Sequence, residues 1–387
     1  MRNKEMLLIP GPTPVADEVY DALSMETRAH TDPRFVAVYK DALSMTRELF
    51  NCDGQVFVIA GSGTLSMEMA VVNTVAPGEK LLVVSHGYFG DRFIQLAEAF
   101  GIKVEAVKSK WGEHVDVAEV EDKLAKGGFK AVTVTHVDTS TGVEADLERL
   151  VPAIKKSGAL FILDGVCASA AIEEDMGKAY GGNPEYRIDV VLTGSQKAIG
   201  VPPGLAIVAF GKKALAAREA LGRVSAYYAD IKMWAPIMEN PTKYYATPAV
   251  NMIYAYDAGM KAVFTEGLKK RYARHRAYGK AVRAALATYG LKALAPDAIA
   301  APTLTTVLHV EGTDDATFRA ALAKKGMIVA GALASLAGKA FRIGHMGSTT
   351  PEMLEKAVLY IGEAMEELGM KVDKEKAVDT FRKAYRA

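Results

Sequence analysis

The sequence predicts an α/β protein: a seven-stranded, mostly parallel sheet with one antiparallel strand, followed by a small C-terminal α+β domain. Three observations predict it. First, short runs rich in Val, Ile and Leu alternate with amphipathic stretches: VFVIA (56–60), LLVVS (81–85), KVEAV (103–107), AVTVTH (131–136), LFILD (160–164) and DVVLTG (189–194). Runs without a polar face suit strands buried on both sides, and the intervening stretches, such as DRFIQLAEAFG and DLERLVPAIKKSG, suit helices that cover a parallel sheet. Second, only SQKAIGVPPG separates the sixth run from a seventh, LAIVAF (205–210). That link is too short for a helical crossover, so the seventh strand runs antiparallel. Third, a long interrupted helical stretch (250–289) leads into TTVLHVEG, DDATFRAALAKKG, MIVAG, AFRIGHMG and TPEMLEKAVLYIGEAMEELG, the pattern of a second, smaller unit.

These patterns divide the chain into an extended N-terminal segment (1–15), a large domain (16–255) and a small C-terminal domain (256–387). The prolines of PGPTP restrict their own residues and those before them, which keeps the first segment extended. The charged tail KVDKEKAVDTFRKAYRA is expected to pack as a helix on the small domain. The stretch 173–187, with Gly-Gly-Asn-Pro, reads as a surface loop that either narrows a site entrance or does nothing.

Composition narrows the function classes. A chain of 387 residues, 50% hydrophobic, buries a large core. Lys plus Arg (47) nearly equals Asp plus Glu (46), so no basic field points to nucleic acid and no acidic excess to a cationic partner. A small-molecule ligand is the expectation. Cys52 and Cys167 form neither a disulfide framework nor a CxxC pair, and the N-terminal apolar stretch is too short for a signal peptide. No apolar run approaches the roughly 20 residues that span a bilayer. A cytoplasmic protein is expected. The seven histidines lack metal-ligand spacing, so no metal is inferred. Met67 and Met69 read as core.

Three motifs fall at carboxyl ends of predicted strands, the edge where open α/β sheets bind ligands. AGSGTLSMEMAVVNTV (60–75) follows the first strand and opens a helix. Gly61, Ser62 and Gly63 let backbone approach an anion, Thr64 adds a hydroxyl and the helix N-terminus supplies free N–H groups; tight packing alone explains such a turn equally well. Neither the P-loop nor the dinucleotide fingerprint fits, because no GK[ST] follows and Ser66 replaces the third glycine. Asp164 ends the fifth strand, where its carboxylate calls for a cap, an ion pair or a protonated heteroaromatic nitrogen as partner. Lys197 sits just beyond the sixth strand, in TGSQKAIGVPPG. Pyridoxal phosphate has a phosphate, a pyridine nitrogen and an aldehyde to match all three.

With these residues the chain resembles the class V aminotransferases, of pyridoxal phosphate fold type I, and within them the alanine:glyoxylate and serine:glyoxylate (serine:pyruvate) group. The resemblance rests on PGPTPV, GSGT, HGYFGDR, THVDTSTGV, LDGVCAS, GSQKAIGVPPG, YYATPAVN and FRIGHMG, in that order over nearly the whole chain. It implies that Lys197 forms the internal aldimine and shuttles the proton, and that Asp164 pairs with the pyridinium nitrogen. Phe89, where many relatives carry tryptophan, would stack on the ring, and Thr139 would meet the ring-hydroxyl side. Ser62, Gly63, Thr64 and Gln196 would hold the phosphate, with Tyr244 and Thr247 reaching it from the neighbouring subunit of a homodimer. Arg342 matches the arginine that takes the substrate α-carboxylate.

Arg342 is also singled out by its residue type, since a planar fork suited to a carboxylate interrupts an apolar strand pattern; the alternative is a surface ion pair. Gly11 either brings backbone to the same carboxylate or makes a plain turn. His30 and Arg34, in ETRAHTDPRF, either face the amino donor or lie on an exposed loop. The resulting expectation is transamination of alanine or serine with glyoxylate or pyruvate. The rival activity is 2-aminoethylphosphonate:pyruvate transamination. Cysteine desulfuration fits less well, because no cysteine occurs between 310 and 350, and a non-catalytic binding protein would not need Lys197, Asp164 and Arg342 together.

Overall fold

The computed structural model describes residues 5–386; the first four residues of the N-terminal segment and residue 387 of the tail lie outside the described residues. Seven strands form one sheet: β1 (Gln55–Ala60), β2 (Lys80–Ser85), β3 (Lys103–Lys108), β4 (Phe129–Thr135), β5 (Leu160–Asp164), β6 (Val190–Gly194) and β7 (Leu205–Phe210). Their spatial order is β1-β7-β6-β5-β4-β2-β3. Neighbours are parallel except around β7, which is antiparallel to both β6 and β1. The short link 195–204 thus turns the chain back, as its length requires, and places Lys197 at the sheet edge.

Every residue of β5, β6 and β7 is buried, which is why they read as unbroken apolar runs. The edge strand β3 instead carries Glu105, paired with Lys123 at 3.1 Å, and exposed lysines that blunt the open edge. Helices α1 (Gly63–Val72), α2 (Tyr88–Ala99) and α3 (Leu147–Lys156) cover the sheet. Asp146 caps α3 by accepting from the Arg149 N–H at 3.2 Å.

A second core lies against the first. Helix α4 (Val250–Glu266) and helix α5 (Leu268–Ala287) form the long helical stretch, broken at Gly267, whose φ of +84° favours glycine. Beyond them β8 (Leu304–Leu308), β9 (Ala330–Gly331) and β10 (Ala340–Gly344) make an antiparallel sheet in which β10 is flanked by β8 and β9. The run MIVAG is not one strand: Met327–Ile328 pairs in parallel with Met6–Leu7, while Ala330–Gly331 pairs with β10. A pair of short segments therefore serves two sheets, and one of them docks the N-terminal segment onto the second core.

The tail folds as α7 (Lys374–Arg386), which packs on α5 and on α6 (Pro351–Glu367) and buries Ala377 and Phe381. The loop 173–187 borders a separate cleft with His136, Glu144 and Arg276 rather than the mouth of the Lys197 cavity. Both cysteines are free and buried. Among the described residues no helix is long and apolar enough to cross a membrane.

Phe381 is 1% exposed. Phe381→Ala should cost about 3–5 kcal/mol of stability, read from the denaturant midpoint; an unchanged midpoint would mean that α7 does not belong to the core.

Candidate active site

The carboxyl ends of β1, β5 and β6 open into one cavity of about 260 Å³. Ser62, Gly63 and Thr64 line it from the start of α1, Gln196 and Lys197 from the loop after β6, and Asp164 from the end of β5. Phe89, Thr139 and Gly11 also line it.

Helix α1 begins without a side-chain cap: Ser62 is its N-cap residue, yet no side chain bonds the free N–H groups. Uncapped donors and the positive end of the helix dipole make this an anion seat. Gly61 serves packing, since a Cβ there would lie 2.4 Å from Leu65 Cδ2, whereas at Gly63 it would approach Val166 Cγ2 of the cavity wall at 3.0 Å. The Gln196 amide oxygen is buried with no hydrogen-bond partner, a vacancy of the kind a ligand's polar group fills.

Arg92 also lines the cavity and went unassigned in the sequence. Its Nη2 donates to Thr64 Oγ1 at 3.4 Å and its guanidinium lies 5.9 Å from the Phe89 ring centroid. The signal was in HGYFGDR, where Phe89 and Arg92 are three residues apart and so share a helix face. Asp138, fully buried, sets the position of that helix by accepting from the N–H groups of Phe89 and Gly90 at 3.1 and 3.0 Å.

Asp164 is 3% exposed; its oxygens accept from the Val166 N–H at 3.0 Å and the Thr135 hydroxyl at 3.4 Å. Burial pushes its carboxyl up to about 7, with Asp138 and Glu174 adding to the rise and the two hydrogen bonds opposing it. Lys197 is equally dry, and burial pulls its ammonium below the usual lysine range, Arg342 adding in the same direction against the pull of Cys167 and Asp164. The amine therefore has access to its neutral, nucleophilic form.

The N-terminal segment closes over this lysine. Lys197 Nζ donates to the Pro10 carbonyl, the Thr13 hydroxyl donates to the Lys197 carbonyl at 2.7 Å, and the Thr13 N–H to the Gln196 carbonyl at 3.1 Å. Gly11 has a φ of +106°, and a Cβ there would stand 2.5 Å from Lys197 Cδ. Its turn is thus required for the chain to pass the lysine side chain.

Arg342 projects from β10 and is 9% exposed. It makes no ion pair among the described residues; Nε donates to the Gly331 carbonyl at 3.0 Å and Nη1 to that of Thr139 at 3.2 Å. Arg342 is not among the residues that line the cavity, but Thr139, to whose carbonyl it donates, is. Tyr244 and Thr247 do not reach the cavity of their own chain. They lie exposed on the segment before α4, hydroxyls 3.5 Å apart, with the Tyr244 ring 5.4 Å from that of His30. Arg34 is exposed and pairs with Asp32 at 2.7 Å.

A family model described as aminotransferase class-V matches residues 11–342. The chain is a class V aminotransferase. It is 36% identical to alanine–glyoxylate aminotransferase 1 of Saccharomyces cerevisiae over 90% of this chain and 93% of that one. It is 33% identical to L-aspartate–glyoxylate aminotransferase of Paracoccus denitrificans over 100% and 97%. Among solved structures, ureidoglycine–glyoxylate aminotransferase from Bacillus subtilis superposes with a TM-score of 0.91 at 26% identity, covering 100% of this chain and 99% of that one. The cofactor of this fold and family is pyridoxal phosphate. The cavity fits it by chemistry: an uncapped helix end for a phosphate, a buried carboxylate with no ion pair among the described residues for a ring nitrogen and a buried amine for an aldehyde.

Two tests follow from this geometry. Because the folded-state value of Asp164 lies above that of the unfolded chain, its stability contribution is full at acid pH and is lost as pH rises from about 3.8 to about 7. Cofactor-free Asp164→Asn should gain stability over cofactor-free wild type across that window, by up to about 4 kcal/mol, and the gain should shrink when pyridoxal phosphate is added; melting at several pH values reads both. Gly11→Ala should lower kcat on the order of a hundredfold by displacing Lys197, with the fold retained by circular dichroism.

Proposed function

We propose that this enzyme transfers the amino group of a small L-amino acid, alanine or serine, to glyoxylate or pyruvate. The reading is carried by one observation: Lys197, Asp164 and the uncapped start of α1 converge on a single cavity, with Arg342, free of ion pairs among the described residues, bonded to Thr139 of its wall. The alanine and aspartate relatives are both named for glyoxylate as their second substrate, which supports that acceptor.

In this reading Ser62, Gly63, Thr64 and Gln196 hold the cofactor phosphate, with Arg92 adding positive charge beside Thr64. Asp164 faces the ring nitrogen, Thr139 the ring-hydroxyl side and Phe89 the ring face. Bound there, pyridoxal phosphate supplies an aldehyde to receive the amino group and a ring to take up electron density. Lys197, its pKa lowered by burial, would take the proton from the amino acid Cα and deliver it to the cofactor's aldehyde carbon, a general base of a type that contributes roughly 10²- to 10⁴-fold. Arg342 binds the α-carboxylate through its free N–H groups, in fork geometry. Val137, Val166 and Pro203 line the same cavity and exclude water from the reacting carbon.

Tyr244 and Thr247 complete the phosphate site of a second copy of the chain, so the working unit is a homodimer with shared sites. Their exposure supports this, as do the neighbouring large exposed side chains Tyr227 (76%) and Met25 (48%).

Alanine or serine with glyoxylate should yield glycine, measured by amino-acid analysis; turnover of 2-aminoethylphosphonate in place of both would overturn the donor assignment. Lys197→Ala should bind cofactor yet lose turnover by at least about 10²-fold. Lys197→Ala and Tyr244→Ala homodimers should each be impaired, and mixing them with subunit exchange should restore activity, because one hybrid site then carries both native residues; no restoration would contradict shared sites.

A further inference from the structure

A buried acid lies behind the site, outside the residues that line it. Glu174 is 2% exposed, in the loop after β5. Its Oε1 is 2.7 Å from His136 Nδ1 and its Oε2 accepts from the Ser169 hydroxyl at 2.5 Å. This carboxylate presses on the residue next to Asp164: a Cβ on Gly165 would stand 2.5 and 2.6 Å from the two Glu174 oxygens and 2.4 Å from Ser169 Oγ. The same turn is tied back to β5 on both sides. The His136 N–H donates to the Asp164 carbonyl at 3.0 Å, and the N–H groups of Ala168 and Ser169 donate to the Gly165 carbonyl at 2.9 and 2.8 Å. His136 therefore grips Asp164 with its backbone and Glu174 with its ring.

We infer that Glu174, held by His136 and Ser169, is a positioning residue for Asp164: it fixes the turn that presents the Asp164 carboxylate and adds negative potential that keeps the cofactor's ring nitrogen protonated. The inference rests on the reading that Asp164 faces that nitrogen. Burying a carboxyl here is costly unless its charge is used or matched, and two hydrogen-bond donors only partly offset the loss of water. Asp138, Asp164 and Glu174 are three buried acids, of which Asp164 lines the cavity, and each of the other two raises it. A proton on a ring nitrogen at Asp164 lies in the field of all three. The other groups that face Glu174 are His136, Ser169, Tyr180 and Tyr272 on α5, the two phenols raised by burial first and by nearby carboxylates after it. Its chain neighbours are Glu173 and Asp175. Fixed positive charge comes near through Arg271, whose Nε donates to the Ala170 carbonyl at 2.9 Å, and through Lys178, whose ammonium lies 4.9 Å from the Tyr180 ring centroid; against these Glu174 adds negative potential at Asp164.

The test uses holoenzyme carrying pyridoxal phosphate labelled with ¹⁵N in the ring, whose chemical shift reports protonation of that atom directly. Glu174→Gln keeps the size of the side chain and removes its charge, with an amide N–H₂ donating where one carboxylate oxygen accepted. It should lower the pH at which the ring nitrogen loses its proton by about one unit, a tenfold change in proton affinity, and lower kcat with little change in KM for the amino acid. Ser169→Ala removes a hydrogen bond but leaves the charge, and should leave the midpoint in place. Glu174→Asp keeps the charge one methylene farther away and should give a smaller shift in the same direction, which provides the reading if the Gln variant folds poorly. Midpoints equal to wild type in both Glu174 variants overturn the inference. Asp164→Asn is measured alongside: if it too leaves the ring nitrogen protonated as in wild type, the assignment of Asp164 fails, whereas a shift in Asp164→Asn with none at Glu174 sinks only the role of Glu174.

Discussion

Two ionisable groups, Asp164 and Lys197, are taken out of water near the ends of adjacent strands with no ion partner among the described residues, and the rest of the candidate site is arranged around that fact. An apolar cavity that held only side chains would not keep a carboxylate raised to about 7 beside an amine drawn down by burial; both departures come first from desolvation, and both are relieved by one ligand with a cationic ring and a carbonyl carbon. The sheet makes this possible. β5 and β6 are buried along their whole length, so their first polar residues emerge only at the carboxyl edge, where the chain is no longer committed to strand pairing.

The N-terminal segment ties this edge to the second core. Leu8 belongs to the hydrophobic cluster of the small sheet, where its carbonyl accepts from the Gly344 N–H at 2.7 Å, two residues beyond Arg342. A few residues later Gly11 and Thr13 lie against Lys197. The lysine and the arginine, on different cores, are thus held to one another through a single extended stretch. Its sequence, rich in proline, reduces the entropy lost in fixing it there.

Much of this was legible in the chain alone, for physical reasons. Strands buried on both faces announce themselves as apolar runs, and the brevity of 195–204 left β7 no choice but to reverse. The candidate residues at or just past the ends of those runs, Asp164 and Lys197, stood out because a charge beside an apolar strand is costly. What escaped notice lacked such contrast. Arg92 sits on an ordinary amphipathic helix, and only the packing of α2 against the start of α1 brings it to Thr64. Glu174 reads as one acid among EED, and nothing local distinguishes the member that turns inward toward His136 from the two beside it. The split of MIVAG between two sheets escaped likewise, because pairing with Met6–Leu7 is a long-range choice that no local pattern encodes.

The central claim is that Lys197 is the amine that carries the cofactor. Holoenzyme reduced with borohydride, digested and analysed by mass spectrometry tests it directly, since reduction fixes the cofactor to whichever lysine holds it. A phosphopyridoxyl group is expected on the peptide containing Lys197 and on no other. A modified lysine elsewhere, or an unmodified Lys197 in protein that bound the cofactor, would contradict it.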